Sequence, residues 1–600
     1  MSEIVKMGGG SFQPSTSKTG NDNLGSILRG KNMLLRGSEG SYYFETYGGQ
    51  KNLNEPIPMK VLTGTIAYTN GLERVVGTGT LFKTELRFGM KVLVEDQVFV
   101  VGNIVSDLAF DSQRPADATA SGKTGYKLPV FFNLDDQRGS MIWGSAIKTD
   151  KGNIVALGEG RVRVNGTELA GETLRASRRL KIALFQPATN NYRVEQIGYT
   201  TAPQNVSIRV VSGGIKDMSL GYYSFMFSWA NFDTAYGFSN PSDVVKFDAM
   251  SNPIQITGSR QRFELDFTNA LLTKPSNADS VIIFRSQYKD STDNITQAAE
   301  GSWFMAAQVK IADFVAGDIV YIDVLDGELD FEVTFDNDAP PDADWLAILN
   351  GDAVLVSCYG EKTLTNADGT SPGPAIAAQK RGNRDAFPAD FAVSTSPPET
   401  IIGFVPGNER IYLMTRVSLP IAEPTLDSEQ PVTTKPFWQT GFHSPFGLVL
   451  INEFLYAFTT KGVTRSIAIG DPGSEQFNFA AGVADITRGW NAGYVHAVHD
   501  KQNEMVVFIH SAAERNTNGY WKSLALPLYL NLQAFGPLIE ITNPSRDMIV
   551  CGAANIGGKL QFLAGGRMPT IPLNFVVTGD TADWDDLVAA ASYQLRIRLP

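Results

Sequence analysis

The chain has few of the residues that build disulfide frameworks or histidine-based sites. Its 600 residues include two cysteines, Cys358 and Cys551, and four histidines. Two isolated thiols fit synthesis in a reducing cytoplasm better than a disulfide-stapled secreted fold. The N-terminus lacks an apolar signal-peptide core, and no uninterrupted apolar run reaches the roughly 18 residues of a membrane span. We therefore expect a protein that is neither exported by a signal peptide nor embedded in a membrane.

Basic residues are also in deficit. Lys and Arg number 51 against 63 Asp and Glu, which gives a net charge of -12. Proteins that grip nucleic acid through its phosphates normally carry the opposite sign, so the composition disfavours tight DNA binding. An acidic surface is compatible with a passage for DNA, because like charges keep the polymer from adhering to the wall.

Motifs that carry catalysis are missing from the sequence. It contains no Gly-x-Ser-x-Gly elbow, no His-Glu-x-x-His helix and no dinucleotide fingerprint. His496 and His499 lie in a strand-like run, where positions three apart face opposite sides, so they are not expected to share a metal ion. We predict a protein that is not an enzyme, with no catalytic, cofactor or metal site.

One acidic segment remains a candidate for chemistry. A glycosidase needs two carboxyl groups about 5 to 10 Å apart. The segment contains Asp323, Asp326, Glu328 and Asp330. A weak calcium loop and a turn of solvated acids are the other interpretations, and the turn is favoured because the spacing lacks the ligand order of a known calcium loop.

The residues that are present predict an all-β protein of several domains. Short β-branched or alternating runs are separated by Gly, Pro and Asn turns along nearly the whole chain. We divide it into an extended N-terminal arm (1–55) that could lie along a neighbouring subunit, a small β-barrel or platform (56–140), a β-rich segment (141–202), a β-sandwich (203–335) and a β-propeller-like domain (336–600).

Periodicity suggests the sandwich core and the propeller. Tyr223, Phe225 and Phe227 alternate with smaller or polar residues, so one aromatic face can fill a sandwich core. Strand units start near 348, 399, 448, 493 and 547, a recurrence of about 45 to 55 residues that is typical of propeller blades. A large irregular sandwich is the alternative. The segment from about 141 to 200 is a candidate for a further blade.

Two sets of side chains are candidates for binding. Lys380, Arg381 and Arg384 form one of the densest basic clusters and could touch DNA in the channel of an oligomer, although a solvated face is the default. Trp438, Trp490 and Trp521 could stack on sugars, although single tryptophans are more often part of a core.

Three groups of motifs follow one another in a recognisable order. The first is Gly77-Thr-Gly-Thr80-x-Phe82 with Leu86, Gly89 and the strand 98–106; the second is Tyr236-Gly-Phe-Ser-Asn-Pro-Ser242 with Ile283-Phe-Arg-Ser286 and Tyr321-Ile-Asp323; the third is Ala339-Pro-Pro341, Ile411-Tyr-Leu-Met-Thr415, Phe446-Gly-Leu-Val-Leu450, Phe454-Leu-Tyr-Ala-Phe458 and Lys461-Gly-Val463. Together they resemble the tail tubular protein B, or nozzle, family of short-tailed bacteriophage tail hubs.

This resemblance implies that the sandwich (203–335) is fibronectin-III-like. It further implies a structural virion protein of the tail, made in the host cytoplasm. It implies a ring, as a homohexamer, that continues the DNA exit channel and takes part in genome retention and ejection. The implied partners are further copies of the chain, adaptor or portal-proximal tail proteins, tail fibres or spikes, the host outer surface and, transiently, double-stranded DNA. The alternatives are a receptor-binding tail adhesin that recognises a host glycan through a propeller face, and a glycoside hydrolase.

Overall fold

The chain folds almost entirely into antiparallel β-sheets, which confirms the predicted all-β class. The structure, a computed structural model, describes residues 33–38, 41–46, 52–149, 152–165, 167–169, 180–189, 191–231, 237–289, 302–349, 353–358, 375–380, 383, 385–395, 397–407, 409–425, 431–459, 462–467, 476–478, 486–531, 534–536, 538–543, 545–566, 574–578 and 595–597. Within these ranges the named α-helices, α1 (Phe82–Glu85) and α2 (Thr268–Leu271), have four residues each. No helix in the same ranges is long and apolar enough to cross a bilayer.

The first strands precede the platform and pair with the far end of the chain. They are β1 (Met33–Ser38), β2 (Ser41–Thr46) and β3 (Asn52–Pro58). The strand β2 pairs with Leu595–Ile597 and β3 pairs with Asn574–Thr578, both antiparallel. The described parts of the predicted arm are therefore strands paired within their own chain. The backbone groups that pair with β2 and β3 lie more than 500 residues away, so the local composition does not reveal this pairing.

The platform is an eight-stranded sheet. Its strands are β4 (Lys60–Val61), β5 (Thr65–Tyr68), β6 (Arg74–Thr78), β7 (Lys91–Val94), β8 (Gln97–Ser106), β9 (Ala109–Ser112), β10 (Ala120–Lys123) and β11 (Gly125–Lys127), in the order β10-β5-β6-β9-β8-β7-β11-β4. The alternation in β6 buries Val75 and exposes Val76, so one face of this sheet packs inward and the other faces solvent.

Two four-stranded sheets follow the platform, and the chain passes between them. Their strands are β12 (Val130–Leu134), β13 (Gln137–Met141), β14 (Trp143–Lys148), β15 (Ile154–Glu159), β16 (Arg163–Val164), β17 (Thr167–Glu168), β18 (Lys181–Gln186) and β19 (Asn191–Gln196). Sheet 1 has the order β12-β13-β16-β17 and sheet 2 the order β14-β15-β18-β19. The chain visits each sheet twice, which ties the two together.

The next unit is the β-sandwich. Its strands are β20 (Ser207–Ser212), β21 (Gly221–Tyr222), β22 (Phe225–Ala230), β23 (Gln255–Ile256), β24 (Gln261–Asp266), β25 (Ser280–Ser286), β26 (Trp303–Lys310) and β27 (Ile319–Ile322). Sheets β20-β24-β27 and β22-β25-β26 face each other, with β21-β23 alongside. The predicted aromatic face is confirmed: Tyr223, Phe225 and Phe227 are fully buried and pack with Phe263 in the core between the sheets.

The C-terminal region forms five further sheets. Its strands are β28 (Ala343–Leu349), β29 (Ala353–Cys358), β30 (Ala375–Ala378), β31 (Val393–Ser394), β32 (Ile401–Pro406), β33 (Ile411–Thr415), β34 (Leu419–Pro424), β35 (Val432–Trp438), β36 (Leu448–Ile451), β37 (Phe454–Thr459), β38 (Gly462–Ile467), β39 (Gln476–Asn478), β40 (Val495–Asp500), β41 (Met505–Arg515), β42 (Trp521–Tyr529), β43 (Ala534–Phe535), β44 (Ile539–Ile541), β45 (Ile549–Ile556), β46 (Lys559–Gly565), β47 (Asn574–Thr578) and β48 (Leu595–Ile597).

These strands complete an array of seven sheets. Sheet 3 is β28 to β31, sheet 4 is β32 to β35, sheet 5 is β36 to β39, and sheet 6 is β40 to β43 with β44. Sheet 7 has the order β45-β46-β47-β3, so the N-terminal strand supplies its fourth member. Each sheet contacts the next through its first strand, and the last of these strands contacts the first. In order, the seven first strands are β12, β14, β28, β32, β36, β40 and β45. The five repeats predicted from the sequence all lie in this propeller-like array. Each one corresponds to the first hairpin of one of the sheets 3 to 7.

The platform ends earlier than its predicted boundary at residue 140. The hairpin β12-β13 belongs to sheet 1, because β13 pairs with β16, and its Phe131 packs with Ile549 and Cys551 of sheet 7. A Cβ atom on Gly552 would lie 2.7 to 2.9 Å from atoms of Phe131, so only glycine lets β45 approach β12 this closely. This contact joins residues about 420 apart, which a local strand pattern cannot show.

Candidate functional site

The first strands of the array meet at a cluster of aromatic rings. The Trp143 ring lies edge-on to Trp345, with centroids 5.6 Å apart, and to Phe446, at 6.1 Å. Phe446 in turn stacks on His496 at 5.0 Å. These four residues, the axial cluster, belong to or adjoin sheets 2, 3, 5 and 6, which are not all neighbours. Contacts between non-neighbouring sheets place the cluster at the centre of the array.

The platform lies directly over the axial cluster. Its residue Gly89, in the left-handed region at φ 78°, is so close to Pro445 that a Cβ atom would lie 2.5 Å from the proline Cδ. The Gln113 amide donates to the His443 carbonyl oxygen at 2.9 Å. Met90 belongs to the same core as Trp143 and Trp345. The platform therefore covers one end of the array, and the aromatic rings fill its centre there.

A buried lysine and a histidine join the platform to sheet 6. The Lys91 ammonium donates to His496 Nε2, with the nitrogens 2.7 Å apart, and both side chains are buried. Burial lowers the pKa of Lys91 to about 8, and burial with the nearby lysine holds the pKa of His496 well below its usual range. Burial also raises the pKa of the neighbouring Cys551 thiol to about 12. At neutral pH the histidine is a neutral acceptor for the lysine.

Two more basic side chains of the platform contact acidic residues of the array. Lys127, whose side chain is 0 % exposed, pairs with the buried Glu159 at the end of β15, and Lys60 reaches the same carboxylate from the surface. The largest influence on the Lys127 pKa is burial, which lowers it. Arg87 is paired with Asp344, which precedes Trp345, with the nearest nitrogen and oxygen 3.4 Å apart. These ion pairs fix the platform at two points around the cluster.

Another basic residue, Arg114, fixes the platform through rings and carbonyl groups. The Arg114 guanidinium lies 4.4 Å from the ring centroid of Tyr494 and 4.9 Å from that of Trp521. It also donates to the Ala512 carbonyl oxygen at 3.1 Å. The Trp521 indole nitrogen donates to the Asp96 carbonyl oxygen at 2.6 Å. Trp521 is therefore a structural residue of the interface.

The predicted glycan-stacking tryptophans occupy different environments. Trp438 and Trp521 are only 2 % and 4 % exposed, so neither has a ring face for a sugar, and this part of the glycan hypothesis is not supported. Trp438 packs on Phe442, and Trp490, which is half-buried, packs near Phe458 and His510. Tryptophan rings are more often packed in a core than exposed to a ligand, and Trp438 and Trp521 follow that tendency.

The predicted DNA-contacting loop holds the sandwich in place. Lys380 is half-buried, and its ammonium donates to the carbonyl oxygen of Phe335 and to Asn337 Oδ1 at 3.3 Å; burial lowers its pKa despite two nearby aspartates. The Asn383 amide donates to the Phe238 carbonyl oxygen at 3.0 Å and accepts from its N–H at 3.2 Å. Lys380 is thus engaged within the chain, while Arg381 and Arg384 lie outside the described residues.

The acidic segment 323–330 of the sandwich also makes its contacts within the chain. Asp326 pairs with the fully buried Arg285 at 2.8 Å, and Glu328 pairs with Lys216, whose hydrogen bond lowers the glutamate pKa. Asp323 accepts from the Lys216 N–H at 3.0 Å. These carboxylates organise a turn, as the sequence predicted, but Asp326 and Glu328 are paired with basic side chains and are not simply solvated. Among the described residues, no group of three His, Cys, Asp or Glu side chains is placed to hold a metal ion.

An open cleft of about 570 Å³ lies where the platform meets sheet 6. It is lined by polar side chains with one aromatic ring: Asp96, Gln97, Asp117, Arg515, Asn518 and Tyr520, beside Ala118 and Gly519. Arg515 contacts Asp96 at 3.1 Å and covers the Trp521 ring at 4.4 Å. Carboxylate, amide and guanidinium groups beside a tyrosine suit a polyhydroxylated ligand.

The sequence reasoning missed the buried charges at the interface. Lys91 opens the strand Lys91-Val-Leu-Val94, in which all four residues are buried, and the three apolar residues beside it are the signal that could have found it. Lys127 ends β11 after Gly125 and the half-buried Tyr126, so no local pattern marks its burial.

Replacing Glu159 with glutamine should destabilise the platform. The change leaves the Lys127 charge buried without an anion, which costs about 3–5 kcal/mol. We expect the opening free energy of the β11 amides to fall accordingly in hydrogen-exchange measurements. A Lys127→Met/Glu159→Leu double variant is the control, since removing both charges restores most of the stability. Equal losses in the two variants would contradict the ion-pair interpretation.

Acid should weaken the interface through His496. In the unfolded chain this imidazole takes up a proton near its usual value of 6.5, whereas the folded chain resists protonation, so the unfolded state binds more protons below that pH. The stabilisation is present above about pH 6.5 and is lost as the pH falls. We expect the urea midpoint of the wild type to drop more between pH 7 and pH 5 than that of His496→Gln. His499→Gln, on the opposite side of β40 and only half-buried, is the matched control; burial lowers the pKa of His499 less than that of His496, so this variant should keep most of the wild-type pH dependence.

Comparisons with known proteins give no family. No family model and no curated protein matches the chain. Solved structures similar to parts of the fold include the extracellular domain of a protein described as a one component system from B. thetaiotaomicron, with 8% identity over 97% of this chain and 82% of that one and a TM-score of 0.26. AztD from Citrobacter koseri is similar over 72% of this chain and 95% of that one, with 8% identity and a TM-score of 0.19. At these scores neither similarity carries an argument about fold or function.

Proposed function

We propose that the chain is a structural protein of a bacteriophage tail, of the nozzle type, whose copies form a ring that continues the DNA exit channel. The observation that carries the proposal is the fixing of the platform across the axial end of the seven-sheet array by buried ion pairs. Such contacts make one rigid body from units that could otherwise move separately. Rigidity under load is what a genome-retaining channel requires.

The same geometry bears on where DNA would pass. The axial cluster fills the centre of the array at the platform end, so the array of a single chain offers no passage there. In the proposal, the channel is therefore the space enclosed by several copies. The net charge of -12 suits its wall, since a strongly basic wall would hold the phosphates and slow ejection.

Several inferences from the motif resemblance belong to this proposal. The seven sheets are taken as blades of a propeller, and the copies as a homohexamer in the virion tail, next to adaptor and fibre or spike proteins. The role is not enzymatic. The contact with double-stranded DNA is transient, and with Lys380 held inside the chain the basic loop has Arg381 and Arg384 as its remaining candidates.

Imaging the purified full-length chain tests the proposal. We expect single-particle electron microscopy and mass photometry to show a ring, with six copies as the expected number and an axial opening of roughly 20 Å or more, wide enough for duplex DNA. Labelled antibody against the chain should bind at the tail of the virion. A chain that stays monomeric at micromolar concentration and is absent from virions would contradict the proposal.

A receptor-binding adhesin is the second candidate, and the cleft at the platform favours it. Its polar side chains and Tyr520 are suited to a host glycan, whereas Trp438 and Trp521 are not. If this function is correct, the chain binds on a glycan array. Tyr520→Ala should then weaken that binding at least about tenfold, because the apolar face of the sugar no longer packs on the tyrosine ring. Tyr288→Ala, an exposed tyrosine on the sandwich, is the matched control. The absence of any glycan signal from the wild type would remove this candidate.

A further inference from the structure

The open cleft between the platform and sheet 6 is walled by two tight turns. One turn joins β7 to β8, and its first residue, Glu95, lies in the left-handed region at φ 52°. The other joins β41 to β42, and there Asn516 Oδ1 accepts hydrogen bonds from the N–H groups of Asn518 and Tyr520, at 2.9 and 3.0 Å. Backbone held in this way gives the cleft a fixed shape, so binding a ligand costs little conformational entropy.

The arginine that lines the cleft is already engaged within the chain. Arg515 donates to the Asp96 carbonyl oxygen at 3.0 Å and to the carboxylate of the same residue at 3.1 Å. Its other terminal nitrogen donates to the Gly519 carbonyl oxygen at 3.0 Å, and the guanidinium covers the Trp521 ring. Because Asp96 balances its charge, Arg515 is poorly placed to bind an acidic ligand.

A buried glutamine presents a hydrogen-bond donor to the cleft. Gln97 lines the cleft although the residue is only 3 % exposed. Its Oε1 accepts a hydrogen bond from the Asp117 N–H at 3.1 Å, which fixes the plane of the amide. The Nε2 group is not sealed from solvent, and within the described part of the chain it donates to no acceptor. Since protein surrounds the rest of Gln97, we infer that this donor faces the cleft.

An exposed carboxylate lies beside this donor. Asp117 lines the same cleft, and its backbone N–H is the group bonded to Gln97. No basic side chain of the described residues forms an ion pair with it. The lining contains two aspartates and one arginine, so one net negative charge remains once Asp96 has balanced Arg515. A free carboxylate accepts hydrogen bonds from hydroxyl groups and repels an acidic ligand.

These groups match a neutral sugar. Each sugar hydroxyl both donates and accepts, so one can accept from Gln97 Nε2 while its neighbour donates to the Asp117 carboxylate. Tyr520 is half-buried in the lining and offers an aromatic ring to the apolar face of the sugar. The volume of about 570 Å³ is within the range of small-ligand sites. A sialylated or sulfated sugar would bring its own charge against Asp117.

The cleft is complete only while the platform is docked. Half of its lining belongs to the platform and half to the turn of sheet 6. The platform half is Asp96, Gln97, Asp117 and Ala118, and the other half is Arg515, Asn518, Gly519 and Tyr520. A ligand that contacts both halves loses its site when the platform undocks. Its binding therefore stabilises the docked state by mass action.

We propose that the cleft binds a neutral sugar residue of a surface glycan and that the bound sugar holds the platform against sheet 6. This inference rests on the adhesin candidate above, and it adds the class of glycan and the structural consequence of binding. Gln97 donates to one hydroxyl group, Asp117 accepts from the next, and Tyr520 contacts the apolar face. The proposed ring does not depend on the cleft.

A glycan array that carries neutral, sialylated and sulfated members tests the ligand class with the full-length chain. We expect neutral glycans to bind at least about tenfold more tightly than sialylated or sulfated forms of the same glycans. Asp117→Ala should weaken neutral binding at least about tenfold and narrow that difference, because the acceptor and the charge are both lost. Asp136→Ala, an exposed aspartate in the turn between β12 and β13, is the matched control and should bind like the wild type. Asp117 is exposed, so circular dichroism should show unchanged folding.

Hydrogen exchange tests the effect on the platform. The probe is the oligosaccharide of the strongest neutral array spot, added as the free compound at ten times its Kd. We expect the protection of the β7-β8 hairpin amides to rise about elevenfold, since the undocked platform has no site for the sugar. The amides of β22 in the sandwich are the internal control and should not change.

The outcomes separate the parts of the proposal. A preference for sialylated or sulfated glycans, or unchanged binding by Asp117→Ala, would overturn the assignment to this cleft and leave an adhesin with another binding face. Unchanged protection of the β7-β8 hairpin with the sugar bound would overturn its role in holding the platform. A wild type without any glycan signal would contradict both the adhesin candidate and this inference, while the ring proposal would stand.

Discussion

The structure depends on filling the space where seven first strands converge. Strands that meet around an axis leave a central gap, and in this chain aromatic rings from sheets 2, 3 and 5, with His496 from sheet 6, occupy it at one end. Rings in edge-to-face contact fill such a gap better than aliphatic side chains do. The platform then covers the cluster and shares its core. This shared core joins the platform to the centre of the array.

The charged side chains buried between the platform and the array fix the position of the platform. An apolar cluster alone would allow the platform to slide or rotate, since dispersion contacts have little directionality. Three buried polar contacts form only when the platform is in one position. They join Lys127 to Glu159, Arg87 to Asp344 and Lys91 to His496. Buried ion pairs add little net stability, but misplacing one leaves an uncompensated charge. In this molecule we infer that the buried polar contacts select the docking geometry, while the aromatic packing supplies most of the stability.

Local patterns in the sequence were enough to predict strands but not their partners. The alternation of Tyr223, Phe225 and Phe227 predicted the sandwich core, and the recurring hairpins of sheets 3 to 7 were found from periodicity alone. The assignment of β3 to sheet 7, and the packing of β12 against β45, depend on contacts between residues more than 400 apart. Likewise Lys380 looked like a surface cation because its acceptors, on Phe335 and Asn337, lie more than 40 residues earlier in the chain. Long-range partners decide whether a charged or aromatic residue is structural, and composition does not contain them.

The placement of the sandwich has a mechanical consequence for assembly. It is inserted between β19 of sheet 2 and β28 of sheet 3, so both of its ends enter the array at one point. A hinge at that point would let the sandwich swing, but Asn383 holds the Phe238 backbone from the array side and Lys380 holds the exit segment. The platform is fixed to the same array by its ion pairs. The angle between the platform and the sandwich is therefore set within each chain. Copies of a subunit close into a ring only when the geometry of each subunit is constant, whereas a variable geometry gives open chains of mixed length. The contacts within the chain thus meet a requirement of the proposed ring: a subunit that builds a closed channel must be rigid before it meets its neighbour.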